Sequence, residues 1–157
     1  MKICFRVFTA LLTVCLAATA AGCALAAGQE IMLPDGQSCL TLPGEMIYQA
    51  PTQEESDLKA IYLLEPELEM LVFSYDAQGM TVQSLAEALT GGGKDAQVRQ
   101  IGEVQFLVFQ DRDEADGASC IGYSYITPDQ RMIEISFFYS TQSAMDLTVA
   151  IMESFHQ

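Results

Sequence analysis

The chain has 157 residues, half of them hydrophobic, and 7 Lys and Arg against 21 Asp and Glu give a net charge of −14 at pH 7. A surface this acidic repels nucleic acid phosphates and anionic lipid headgroups, which argues against both as partners. It would attract basic peptides or metal cations, although solubility alone explains such a charge.

Residues 1–26 have the pattern of a signal peptide. Lys2 and Arg6 precede an apolar run over Val7–Ala17, and small residues follow that run. Ala24-Leu25-Ala26 is an A-x-A cleavage signal, so we expect a cut after Ala26. The remaining residues 27–157 then form one secreted globular domain.

Two other fates of the leader stay open. Ala21-Gly22-Cys23 ends like a bacterial lipobox, in which Cys23 would be acylated and become the N-terminus of a lipoprotein. Against this, Ala20 stands where a lipobox usually has Leu. If no cut occurs, the uncharged run over Val7–Gly28 reaches the about 20 residues that span a bilayer, but its second half is mostly Ala and Gly.

The first half of the domain is predicted to contain four strands and a helix. Ile31–Leu33 and Ser38–Leu42 flank a Pro-Asp-Gly turn and predict a hairpin, whereas residues 44–57 have the composition of a loop. Leu58–Leu64 and Met70–Tyr75 are the next strands. Thr81 is the predicted N-cap of a helix with an apolar face, which the glycines at 91–93 end.

The second half repeats this order with four strands and a final helix. The helix starts at Ser140 or Thr141, with an apolar stripe of Ala144, Leu147, Ile151, Met152 and Phe155. The predicted strands are Ala96–Ile101, Val104–Gln110, Ser119–Ile126 and Met132–Tyr139.

Several of these strands are apolar on both faces, so both faces of the sheet need cover. In Met132–Tyr139 one face presents Ile133, Ile135 and Phe137, while Met132 and Phe138 lie on the other. The fold class is therefore α+β, a mainly antiparallel sheet of about seven short strands covered by two helices, one on each face.

This pattern resembles the PsbP-like superfamily, in which an antiparallel sheet lies between helices. The likeness is carried by IMLPDGQSCLTLPGEM near the start, QFLVFQD and MIEISFFYST in the sheet, and AMDLTVAIMESF at the end. It spans Glu30 to Phe155. The resemblance implies a domain that binds other proteins or assists assemblies, and it supplies no motif from which a binding residue could be transferred.

The sequence offers no catalytic, cofactor or metal site that we would assign. The only histidine, His156, is next to the C-terminus, where chains usually fray, so a catalytic imidazole would be poorly held. One His and few cysteines also argue against zinc. The DRDEADG segment at 111–117 departs from a calcium loop, because Ala115 and Asp116 occupy positions five and six.

An enzyme would need two close carboxylates in a deep pocket, and Glu103, Asp111 and Glu134 are the acids that could supply them. The remaining cysteines of the exported domain are Cys39 and Cys120, an even pair that makes a disulfide the favoured expectation. Strand alternation places each on the more polar face of its strand, and two free thiols are the alternative.

We therefore expect a secreted or cell-surface domain without enzymatic activity or cofactor. Its partner would be an unknown protein or envelope component, contacted by exposed aromatic residues and the loop from Tyr48 to Asp57. The alternative is an extracytoplasmic module that binds a small ligand or a cation in a cleft between sheet and helix. The oligomeric state does not follow from the sequence.

Overall fold

The computed structural model describes residues 28–52, 57–112 and 119–157, and these form nine strands and two helices. The helices are α1 (Val82–Gly91) and α2 (Gln142–Glu153). The strands are β1 (Gln29–Met32), β2 (Cys39–Leu42), β3 (Ile47–Gln49), β4 (Leu58–Leu64), β5 (Leu68–Asp76), β6 (Asp95–Ile101), β7 (Val104–Arg112), β8 (Ser119–Ile126) and β9 (Arg131–Tyr139).

Seven strands form one antiparallel sheet in the order β3-β4-β5-β9-β8-β7-β6. The last strand in the chain, β9, therefore lies in the middle, between β5 and β8. The remaining two strands form a separate two-stranded sheet, the hairpin that the Pro-Asp-Gly turn predicts. The predicted α+β class and the antiparallel sheet are confirmed.

The main core lies on one face of the sheet, which we call the core face. Ile133, Ile135 and Phe137 of β9 alternate onto this face, and each is fully buried. The β1–β2 hairpin and α2 cover it together, with Leu40 and Ile151 also at 0% exposure. Cover on this face thus comes from a helix and a hairpin, and the predicted apolar stripe of α2 contributes to the core.

Local hydrogen bonds fix the ends of α1 where the sequence predicts them. The Thr81 hydroxyl accepts a hydrogen bond from the Ser84 amide at 3.1 Å, which completes the N-cap. After the helix, Gly93 takes a φ of 84°, a left-handed conformation that glycine adopts without strain. Helix α2 begins in the same way, with the Thr141 side chain accepting from the Ala144 amide at 3.2 Å.

The opposite face of the sheet carries α1, which packs on β6, β7 and β8. Ala86 of the helix and Leu107 of β7 are buried there. The prediction of one helix on each face is therefore correct, but α1 leaves the β3-β4-β5-β9 part of its face without a helix among the described residues.

One strand of the structure is not predicted by the sequence pattern, and β5 is longer than predicted. Ile47–Gln49, predicted as loop, forms β3 at the edge of the sheet, and all three of its residues are exposed. Strand β5 runs over Leu68–Asp76, longer than the predicted Met70–Tyr75, because β9 pairs with it along its whole length. Both differences come from pairing with distant strands, which local patterns do not report.

Candidate interaction surface

The uncovered part of the α1 side forms an apolar surface that we call the open face. Strand register places its side chains in neighbouring rows: Phe138 lies opposite Glu69, and Leu63 lies opposite Ile47. A second row joins Leu71 to Ile61 on the same side of the sheet. The open face consists of Ile47, Ile61, Leu63, Leu71, Phe73 and Phe138.

Two of these side chains are well exposed, Ile47 at 70% and Phe138 at 38%. The other four are half-buried by their neighbours in the sheet. Contiguous exposed apolar side chains on a soluble domain mark interaction sites more often than chance, whereas single ones need no explanation. The open face qualifies because its members are adjacent across three paired strands and β9.

An acidic groove of about 270 Å³ adjoins the open face at the β4–β5 turn. Glu65 and Glu67 are exposed beside it, and Glu69 extends from β5. Leu63 and Phe138 supply its apolar wall, and the described residues that line it include no Lys, Arg or His. This combination suits a positively charged side chain that has an apolar neighbour.

Glu134 is a hydrogen-bonded acidic residue on the same side of the sheet as the open face. Its carboxylate accepts hydrogen bonds from the Tyr75 hydroxyl and, at 2.8 Å, from the Ser136 hydroxyl. Burial and the bond to Glu134 raise the pKa of Tyr75 well above its usual value. Because both carboxylate oxygens are engaged, Glu134 behaves as a structural acceptor.

The three acids considered for catalysis do not converge. Asp111, near the end of β7, forms an ion pair with Lys94, whereas Glu103 lies in the turn before the same strand. Asp111 lies eight positions after Glu103 along an extended chain, which corresponds to about 26 Å. Glu134 lies on β9 with its own partners, so these acids do not build the paired carboxylates of a general acid and base.

The structure does not contain the expected Cys39–Cys120 disulfide, and both cysteines are free in it. The hairpin carries Cys39 over the core face, whereas Cys120 alternates with the buried Ile121 and lies on the α1 side. The sheet therefore separates the two sulfurs. Burial, together with the negative charges of Glu134 and Asp111, raises the pKa of the Cys120 thiol to about 11.

A second concave region lies at the sheet edge, beside the hairpin. Tyr48, which is 55% exposed, packs against Tyr62 with ring centroids 5.5 Å apart. These rings and Met32 line an edge groove of about 300 Å³. Tyr48 begins the loop predicted as a contact region, of which residues 53–56 lie outside the described residues.

The C-terminus is anchored, contrary to the expectation that His156 would fray. The Cys39 amide donates to the His156 carbonyl at 2.8 Å, and the His156 amide donates back to the Cys39 carbonyl at 3.2 Å. Phe155 is buried beside them, with its ring 5.0 Å from that of Phe106. Tertiary packing of Phe155 and this bridge hold the His156 backbone in place.

Several sequence predictions fall outside the described residues. The predicted signal peptide, its cut after Ala26, the lipidation alternative at Cys23 and almost all of the membrane-span alternative belong to residues 1–27, and most of the DRDEADG segment belongs to 113–118. Within the ranges that the structure describes, neither helix combines the length and hydropathy needed to span a bilayer.

Comparison with known proteins identifies the fold. No family model and no curated protein matches the chain. The solution structure of cyanobacterial PsbP (CyanoP) from Synechocystis superposes with a TM-score of 0.61 at 11% identity, covering 82% of this chain and 91% of that one. A crystal structure from Bacteroides thetaiotaomicron gives a TM-score of 0.57 at 10% identity, covering 82% of this chain and 48% of the other. The chain therefore has the PsbP-like fold that its sequence resembles.

Proposed function

We propose that this chain is an exported, non-catalytic domain that binds a partner protein through the open face. The observation that carries the proposal is a contiguous apolar surface on one side of the sheet, with Ile47 and Phe138 exposed on its two outer strands, β3 and β9. Interfaces use apolar anchors of this kind within a polar rim.

Charge specifies the chemistry of the partner. The groove beside Phe138 carries Glu65, Glu67 and Glu69, and the chain as a whole is strongly acidic. The partner is therefore a protein segment with Lys or Arg next to apolar side chains. A second copy of this chain fits less well, because two open faces in contact would bring their glutamates together.

Export is supported by the leader. Residues 1–26 combine a basic start, an apolar run and an A-x-A site, and acylation of Cys23 is the alternative that would tether the domain to a membrane. In both cases the domain would meet a partner outside the cytoplasm or in the cell envelope.

A capture experiment with matched variants tests the proposal. Purified wild-type protein is immobilised and exposed to envelope extract of its own organism, alongside the double variant Ile47→Asp/Phe138→Asp. Val149→Asp serves as control, because Val149 is 40% exposed on α2, away from the open face. We expect a saturable partner that wild type and the control retain and the double variant loses.

Salt dependence adds a second readout. The variant Glu65→Gln/Glu67→Gln should weaken capture and flatten its dependence on ionic strength, because these exposed charges act over the Debye length. Equal capture by the wild type and the Ile47→Asp/Phe138→Asp variant would refute the open face as the binding surface. If the wild type self-associates and this variant does not, the partner of the open face would be a second copy of this chain.

A second candidate function is binding of a small ligand. The edge groove favours it, since Tyr48, Tyr62 and Met32 surround a concavity at the lower end of the usual volume for ligand sites. A thermal-shift screen of small aromatic and aliphatic compounds tests this function. A compound that raises the melting temperature of the wild type but not of Tyr48→Ala would support binding in the edge groove.

A further inference from the structure

Three side chains of metal-binding types meet where the hairpin contacts the chain end. Glu30 comes from β1, Cys39 from β2 and His156 from the residues after α2. One carboxylate oxygen, the sulfur and one imidazole nitrogen all lie within 4.8 Å of one another. Cys39 is half-buried, while the other two are exposed and accessible to an ion from solvent.

We propose that Glu30, Cys39 and His156 bind a divalent transition metal, with Zn²⁺ as the best-matched ion. Thiolate, imidazole and carboxylate are the ligands that Zn²⁺ takes in proteins, and this mixture disfavours Ca²⁺ and Mg²⁺, which prefer oxygen. Three protein ligands leave a fourth tetrahedral position for water or for a group from a partner.

The spacing of the donors is close to what a tetrahedral ion requires. Bonds of 2.0–2.3 Å place neighbouring ligand atoms about 3.3–3.8 Å apart. His156 Nε2 and Glu30 Oε2 are already 3.5 Å apart. The sulfur lies within 4.8 Å of the other two donors, so it needs to move by at most about 1 Å to reach this spacing.

The orientation of His156 is a second, independent observation that points to a ligand. Its Nδ1 lies 3.0 Å from the Ser154 carbonyl oxygen, and since a carbonyl only accepts, Nδ1 carries the proton. Nε2, which faces Glu30, is then the ring nitrogen that would bind an ion after losing its proton. A backbone carbonyl bound to the distal ring nitrogen is the arrangement that fixes metal-binding histidines.

The backbone around the three donors is already in place. The paired hydrogen bonds between Cys39 and His156 fix both residues through main-chain atoms. On the next residue, the Gln157 side chain donates to the Ser38 hydroxyl at 3.1 Å. A bound ion would therefore pay little ordering entropy, and it would cross-link β1, β2 and the chain end.

Titration of the purified, reduced protein with Zn²⁺ alone tests the site. We expect one ion per chain. The affinity for Zn²⁺ should fall by more than about tenfold in Cys39→Ser and in His156→Gln, because even the loss of a residue that only supports a ligand costs about that much. Both substitutions keep the backbone bridge, so the fold should persist. Cys120→Ser is the matched control and should bind as wild type, because Cys120 lies on the other side of the sheet.

Co²⁺ provides a spectroscopic readout of the ligands. A thiolate-to-cobalt absorption band should appear in the wild type and in Cys120→Ser and be absent from Cys39→Ser. Ca²⁺ should not displace the cobalt. Equal zinc affinity in the wild type, Cys39→Ser and His156→Gln would show that these side chains do not bind the ion, and would overturn the proposal. The absence of the cobalt band from the wild type would also overturn it.

Discussion

The Tyr125 hydroxyl donates a 2.6 Å hydrogen bond to the Asp35 carboxylate, which ties the central part of the sheet to the tip of the hairpin. The same carboxylate also accepts from the Ser38 hydroxyl and amide, at 2.6 and 2.9 Å. Asp35 therefore stabilises the hairpin turn through Ser38 and also binds Tyr125 of β8, which lies 90 residues further along the chain. It fixes the hairpin over the core.

Tyr125→Phe should destabilise the protein at neutral pH by about 1.5–3 kcal/mol, the range for a hydrogen bond to a charged group. Tyr48→Phe, on an exposed ring, is the control and should change the free energy of unfolding little. Urea denaturation of the three proteins at pH 7 measures the difference. A loss in Tyr125→Phe no larger than that in the control would show that the bond contributes nothing.

The same interaction predicts a pH dependence. Burial would raise the pKa of Asp35, but the hydrogen bonds from Ser38 and Tyr125 outweigh it and hold the pKa below its usual 3.8. The resulting stabilisation is present above pH 3.8 and is lost as the pH falls through the lower folded-state value. The difference between wild type and Tyr125→Phe should therefore shrink in strong acid. A constant difference down to pH 2 would contradict this.

Helix α2 offers a test of the core face. Ile151 is fully buried and Glu153 is exposed on the same helix. Ile151→Ala should cost about 2–5 kcal/mol, a large part of the 5–15 kcal/mol that stabilises a typical domain. Glu153→Ala should stay within about 0.5 kcal/mol. Chemical denaturation compares them, and equal small losses would mean that the helix does not cover the sheet.

Cys39 and Cys120 should be present as two free thiols and not as a disulfide. We expect non-reducing peptide mapping to find Cys39 and Cys120 in separate peptides, because the sheet lies between them. Since its pKa is about 11, the Cys120 thiol should alkylate much more slowly at pH 7.5 than an unhindered cysteine peptide. A rate equal to that of the peptide would mean that Cys120 is neither buried nor close to Glu134 and Asp111.

The leader can be tested by mass spectrometry of the protein from its own organism. We expect an N-terminus at Ala27 or Gly28, without lipid. Replacement of Ala24 and Ala26 by bulky residues should slow this cut. A diacylglyceryl group on Cys23 would make the protein a lipoprotein instead, and would tether the domain to a membrane.

Local chemistry made much of this fold predictable, as the hairpin turn and the Thr81 cap show, because both depend on a few adjacent residues. The open face could have been anticipated by comparing the width of the sheet with the length of α1. Seven strands about 4.8 Å apart make a sheet about 29 Å wide, and a ten-residue helix such as α1 is only about 15 Å long. One such helix cannot cover the face.

Other features depend on contacts between distant residues and leave no local signal. Alternation correctly put Cys39 and Cys120 on the polar sides of their strands, but it cannot say on which side of the sheet the hairpin folds. Likewise, nothing in the last two residues indicates that His156 pairs with Cys39. The cluster of Glu30, Cys39 and His156 therefore became visible only in three dimensions.

The position of β9 has a consequence for how the chain reaches its native state. Strands β3–β5 and β6–β8 each form a unit from neighbouring segments, but β9 joins them and is the last strand to be synthesised. Until residues 131–139 are available, β5 and β8 are two unpaired edges, which are prone to aggregation. We expect a chain truncated before Arg131 to misassemble, and a chaperone or an unfolded export route to protect these edges before folding.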